Sequence, residues 1–120
     1  MNFNDNKAIY LQIADRLSDD ILNGALAPDA KVPSVREMAA QVMVNVNTVM
    51  RTYEYMQQSG IIYTKRGMGY FVAPDATERI VQQRRQQLLD GEMDYFMRRL
   101  KAVGITPDEL CQHYTEFCKQ

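Results

Sequence analysis

The chain has 120 residues, enough for one domain and a small appendage, and its 46% apolar and 24% charged content is that of an ordinary globular protein. It holds no apolar run of about 18 residues, which excludes a hydrophobic membrane helix. The opening residues carry no apolar stretch of a secretory signal, so the cytoplasm is the expected compartment, with Cys111 and Cys118 as free, half-buried thiols.

Fourteen Lys/Arg against fifteen Asp/Glu give a net charge of −1, and residues 1–74 divide evenly, with seven of each. A basic footprint is the usual mark of a nucleic-acid partner. Any positive surface here has to come from placement, through convergence of Arg36, Arg51, Lys65 and Arg66.

In chain order, Asn4, Asp5 and Asn6 offer caps for a first helix over residues 7–23. Tyr10, Ile13, Ala14, Leu17 and Ile21 form its apolar stripe, and Asp15, Arg16, Asp19 and Asp20 its wet side. Gly24 ends it, and Pro28 with Asp29 marks a turn. Lys31, Val32 and Pro33 suffice only for a single-bridge strand. Ser34 and Glu37 then have the S-x-x-E spacing of a capping box, followed by an apolar stripe of Val35, Met38, Ala39 and Val42. Val44, Asn45 and Val46 interrupt this helix, and Asn45 is a good N-cap for the next. Val49, Tyr53 and Met56 share the buried face of that helix, with Asn47, Thr48 and Arg51 elsewhere, and Gly60 ends it. The pair is a helix-turn-helix whose second helix opens on a polar, hydrogen-bonding turn.

Past Gly60 the pattern changes to two runs rich in β-branched and aromatic residues, 61–65 and 70–73. Arg66, Gly67, Met68 and Gly69 between them predict a β-hairpin, and a hairpin after the second helix is a wing. Pro74 closes it. Asp75 and Glu78 start a further helix reaching about residue 103, with a seam of Ile80, Arg84, Leu88, Met93, Phe96 and Leu100. Gly91 inside it costs about 1 kcal/mol relative to Ala, which points to a kink or a break. After Gly104, Thr106, Pro107 and Glu109 start a last helix with Leu110, Cys111, Tyr114 and Phe117 on its apolar face.

The predicted architecture is mainly α with a small β-hairpin. A winged helix-turn-helix over residues 1–74 is followed by a two-helix tail over residues 75–120. Two such helices cannot enclose a cavity of several hundred Å³. Their apolar faces need a partner, and the simplest is a second copy. Ile80, Leu88, Phe96, Leu100, Leu110, Tyr114 and Phe117 are the expected dimerisation residues. The alternative is a tail folded back on its own winged helix.

Residues 9–73 resemble the DNA-binding domain of the GntR family of bacterial transcription regulators. The resemblance rests on six ordered blocks: Ile9-Tyr10-x-Gln12-Ile13-Ala14; Ile21-Leu22-x-Gly24-x-Leu26-x-Pro28; Val32-Pro33-Ser34-x-Arg36-Glu37-Met38-Ala39; Val44-Asn45-x-Asn47-Thr48-Val49; Gly60-Ile61-Ile62; and Arg66-Gly67-x-Gly69-x-Phe71-Val72. The short tail is similar to that of the YtrA-like subgroup. This resemblance implies a sequence-specific regulator, more often a repressor, binding a pseudo-palindromic double-stranded operator as a homodimer. It also implies Arg36 as a DNA contact.

On this reading Ser34, Arg36, Asn45, Asn47, Thr48 and Arg51 meet DNA from the helix-turn-helix, and Lys65, Arg66 and Gly67 from the wing. Asn can bond adenine bidentately, Thr donates or accepts, and Arg reaches phosphate or guanine. Asn45 either only caps or caps while touching a phosphate. Two departures from the family pattern remove charge: Val46 stands where some members have an arginine, and Met50 where a second one occurs. A shallower salt dependence follows.

An enzyme is not expected. The single histidine, His113, has no nucleophile or paired carboxylate placed by motif, and no phosphate-binding, nucleophile-elbow or zinc-protease motif is present. Cys111, His113 and Cys118 do not have a metal-ligand spacing, so no metal and no cofactor is expected. No residue demands a small-molecule effector, although one at the junction of winged helix and tail is left open. A winged helix serving as a protein-interaction module without DNA is the remaining alternative, on the strength of the near-neutral charge.

Overall fold

The computed structural model describes residues 7–120. The proposed caps Asn4, Asp5 and Asn6 lie outside the described residues. Two compact units are present, divided between Gln82 and Gln83.

In the first unit, α1 (Ile9–Leu22), α2 (Val35–Val42) and α3 (Val46–Gln58) surround one core, and β1 (Ile62–Lys65) pairs antiparallel with β2 (Gly69–Val72). Ile13, Leu17 and Ile21 of α1 meet Met38 and Val42 of α2 and Val49, Tyr53 and Met56 of α3 in that core. Each follows from helical spacing of apolar residues, as the sequence predicts.

The caps act as expected. The Ser34 hydroxyl accepts from the Glu37 N–H at 3.1 Å, and the Ser34 N–H donates to Glu37 Oε1 at 3.0 Å. Asn45 Oδ1 accepts from the Asn47 N–H at 2.8 Å. Gly24 and Gly60 end α1 and α3 with φ of +88° and +75°. The break between α2 and α3 falls at Met43, which takes a left-handed φ of +57° and donates its N–H to the Ala39 carbonyl. A residue with a Cβ pays about 1–2 kcal/mol for that conformation, so no propensity marks Met43 as the turn.

The wing is anchored by a third, short segment. Lys31 bridges Phe71, the Val32 N–H donates to the Tyr70 carbonyl at 2.9 Å, and the Asp29 N–H to that of Val72 at 2.9 Å. The edge of β2 is thereby covered. At the other end, Lys65 pairs with Gly69 around a loop of residues 66–68, in which Gly67 has φ of +74°. Only a residue without Cβ adopts that turn freely.

α4 (Ala76–Gln87) begins in the first unit, where Ala76 is fully buried and Ile80 is 1% exposed. This corrects one expectation: Ile80 is a core residue of the winged-helix unit rather than part of a dimer seam. The hydrophobic pattern is the same for both destinations, because periodicity specifies a buried face but not what covers it. The unit accordingly continues past residue 74.

The second unit contains a π-helical turn (Leu88–Glu92), α5 (Met93–Ala102) and α6 (Pro107–Phe117). Gly91 sits inside the π turn, so the helix widens there instead of breaking. Gly104, at φ +78°, ends the α5 segment, and Thr106 and Glu109 form the second capping box.

Truncating Ile80 in the filled core leaves a cavity. Ile80→Ala is expected to lower unfolding stability by about 2–5 kcal/mol, read from urea denaturation monitored by circular dichroism. A loss below about 0.5 kcal/mol, the range of surface substitutions, would show that Ile80 is not in the core.

Candidate nucleic-acid interface

The helix-turn-helix presents one polar surface, built from the start of α2 and the outer side of α3. α3 is fixed from behind, because Val49, Thr52, Tyr53 and Met56 are each at most 1% exposed. The Tyr53 hydroxyl donates to the Pro33 carbonyl at 2.6 Å, which ties α3 to the residue just before the α2 cap. The Tyr53 ring meets Tyr70 of the wing edge-on at 4.9 Å. Buried Thr52 donates from its hydroxyl to the Tyr10 carbonyl of α1 at 2.8 Å.

The predicted contact residues fall on or beside this surface. Ser34 and Arg36 are exposed in the first turn of α2. Ser34 accepts in its capping bond, so its hydroxyl hydrogen remains to donate outward. Glu37 is held below the ordinary carboxylate range by the Ser34 N–H first and the Ser34 hydroxyl second. The capping box therefore contributes its stability above the unfolded carboxylate pKa and loses it as pH falls through the lowered value. Asn45 and Asn47 are exposed and Thr48 is half-buried in the first turn of α3. Asn45 spends its side-chain oxygen on the cap, which leaves its amide nitrogen as the outward group. The exposed N–H groups and the positive end of the helix dipole at this turn favour an anion.

Two placements were not legible in the sequence. The Arg51 guanidinium lies over the Tyr10 ring, 4.0 Å from its centroid, and Tyr55 meets the same ring edge-on at 6.2 Å. Arg51 is thus held by α1 while it remains exposed. Lys65 of the wing lies over Phe71 at 4.6 Å and within 6.0 Å of the Tyr63 ring. Arg66 and Gly67 stand exposed at the wing tip beside Met68. The Arg51 stack depends on a residue 41 positions away in sequence, whereas the Lys65 stack is local to the hairpin. The aromatic residue in the first turn of α1 and the Tyr63/Phe71 pair on one hairpin face were the available signals.

The tail residues behave differently. α5 and α6 contain no buried residue. Met93, Phe96, Met97, Pro107, Leu110, Cys111 and Tyr114 line an apolar groove between them. Phe96 is 48% exposed, and Tyr114 and Phe117 67% each. Leu88 is also exposed, and Leu100 and Leu110 are half-buried. Cys111 and Cys118 are free thiols and are exposed rather than half-buried as expected. Among the described residues, no helix is long and apolar enough to cross a membrane.

The outward polar turn on a buried-faced helix, with a hairpin behind it, is a winged helix-turn-helix. Residues 9–72 match the family model for bacterial regulatory proteins of the gntR family, and the chain belongs to that family. It is similar over most of its length to the uncharacterised regulator YhcF of Bacillus subtilis, at 40% identity across 96% of this chain and 93% of that one. The transcriptional repressor YtrA of the same organism is 34% identical across 81% of this chain and 68% of its own. A GntR-family regulator from Bacteroides thetaiotaomicron has a solved structure with 48% identity and a TM-score of 0.83, covering 93% of this chain and 97% of that one. The DNA-binding domain of AraR, solved in complex with operator ORR3, aligns with a TM-score of 0.51 and 31% identity over 53% of this chain and 77% of its own. The protein is a DNA-binding transcriptional regulator and not an enzyme.

The Arg51 stack has a direct readout. The face of the Tyr10 ring shields protons above it, so the Arg51 side-chain methylene resonances are expected upfield of random-coil positions. Tyr10→Phe keeps that shift and Tyr10→Leu abolishes it. Unchanged Arg51 shifts in Tyr10→Leu would show that the guanidinium does not rest on the ring.

Proposed function

We propose that this regulator acts in the cytoplasm as a repressor, binding a pseudo-palindromic operator as a homodimer. The observation that carries the DNA part is the first turn of α3. It is capped by Asn45, exposed at Asn47, and backed by four side chains at most 1% exposed. In this reading the turn enters the major groove, where Asn47, Thr48 and Arg51 meet base edges or phosphates. Ser34, Arg36 and the Asn45 amide nitrogen meet the adjoining strand. Lys65, Arg66 and Gly67 approach the minor groove or flanking phosphates from the wing.

The dimer part is carried by the tail. Helices with no buried residue, and with Phe96, Tyr114 and Phe117 all exposed, lack a core of their own. Leu88, Phe96, Leu100, Leu110, Tyr114 and Phe117 are the surface that a second copy would cover, by the same apolar burial that closes any core. The repressor role is supported by the likeness to YtrA, which carries that description. Nothing on the tail calls for a particular small-molecule effector.

Binding of duplex DNA, selected by the protein from genomic fragments, tests this reading when anisotropy is followed across a salt series. If Arg36, Arg51, Lys65 and Arg66 of each copy carry the phosphate contacts, log K falls against log salt with a slope no steeper than about −7. Arg36→Ala is expected to lower affinity by about 1–3 kcal/mol if it reads a base, or to reduce the slope by about 1 per copy if it holds a phosphate. A folded protein that selects no duplex would instead assign this winged helix to a protein partner.

A further inference from the structure

The first two turns of α3 carry an apolar edge that the core does not use. Val46, the first residue of the helix, is 38% exposed, and Met50, one turn on, is 48% exposed. Met43, in the turn just before, is 89% exposed. Single exposed apolar residues are ordinary on any protein. These three stand together at one helix end, and Val46 and Met50 are neighbours at i, i+4 spacing. Asn47 lies beside them, with its own carboxamide exposed. No cation occurs in α3 before Arg51, which lies one turn further on, over the Tyr10 ring.

A recognition helix reads base edges with its N-terminal residues. On this helix the exposed ones are Val46, Asn47 and Met50, with Thr48 half-buried beside them. Residues 46–50 of α3 thus hold no side chain that could pair bidentately with guanine. Among the groups on the major-groove edge, the thymine C5-methyl is the apolar one, and adenine is the base that pairs bidentately with a carboxamide. We infer that Val46 and Met50 read thymine methyls, and that each operator half-site carries A·T pairs where the start of α3 enters, with Asn47 on an adjacent adenine. This inference rests on the placement of α3 in the major groove proposed above.

The contact is apolar, so it adds discrimination with no counterion release. Removing the methyl should weaken binding equally at low and high salt, unlike the loss of a phosphate contact. Burying one methyl is worth about a fourfold change in affinity.

The test uses the full chain and a duplex that it selects from a random library. Each half-site thymine is replaced in turn by deoxyuridine, which removes the methyl and keeps every hydrogen-bonding group. Anisotropy is measured for wild type, Val46→Ala and Met50→Ala. The expected result is a loss of about fourfold at one or two thymines per half-site, independent of salt. Val46→Ala or Met50→Ala should erase the sensitivity at its own thymine, which separates direct contact from altered duplex shape. Tight duplex binding that is indifferent to uracil at every half-site position would overturn this inference and leave the DNA reading intact. So would selected half-sites with G·C pairs at the centre of the α3 footprint. Failure to select any duplex would overturn both.

Discussion

The first unit depends on Tyr53. Its ring is completely buried, its hydroxyl donates to the Pro33 carbonyl at 2.6 Å, and its edge meets Tyr70 at 4.9 Å. One side chain thereby joins α3 to the entry of α2 and to the wing. Burial, then the neighbouring Tyr70 and Glu37, push the phenol well above its ordinary pKa, so the donor stays protonated throughout the neutral range. A buried polar group is stabilising only when it is paired, and here the partner is the Pro33 backbone carbonyl. The orientation of the outward face of α3 follows from this inner anchor. Thr52 adds a second tie, to α1, and Arg51 reaches the same residue of α1 from the outer side.

The second unit has the opposite character. Its capping box and glycine ending define α6 and the end of α5 locally, yet neither helix buries a residue. Local signals specify that a helix forms, and tertiary burial supplies most of its stability. Helices of 10 and 11 residues with an open apolar groove between them thus leave apolar surface uncovered within their own unit. That imbalance, rather than any motif, is the physical ground on which a second chain is proposed to cover the tail.

What was legible in the sequence was local. Both capping boxes, the Asn45 cap, the glycine endings and the hairpin are set by residues within a few positions of each other, and each is where the spacing puts it. The buried stripe of α3 was legible because its period is that of a helix. What was not legible involves long-range choice. Ile80 continues an apolar seam, but packing assigns it to the winged-helix core. Met43 turns the chain because α2 and α3 both demand it there, against its own preference. Arg51, expected only as a DNA contact, is also stacked on a ring that the fold brings near. The even charge of residues 1–74 also gave no guide to where the cations stand.

The central claim is that two copies present two α3 helices to one face of a duplex. Hydroxyl-radical footprinting of the full chain on a duplex that it has selected addresses this directly. The account predicts two protected stretches per strand, related by a two-fold and separated by about one helical turn or a multiple of it. A single protected stretch at saturating protein would contradict the dimer, and an unprotected duplex would contradict the interface.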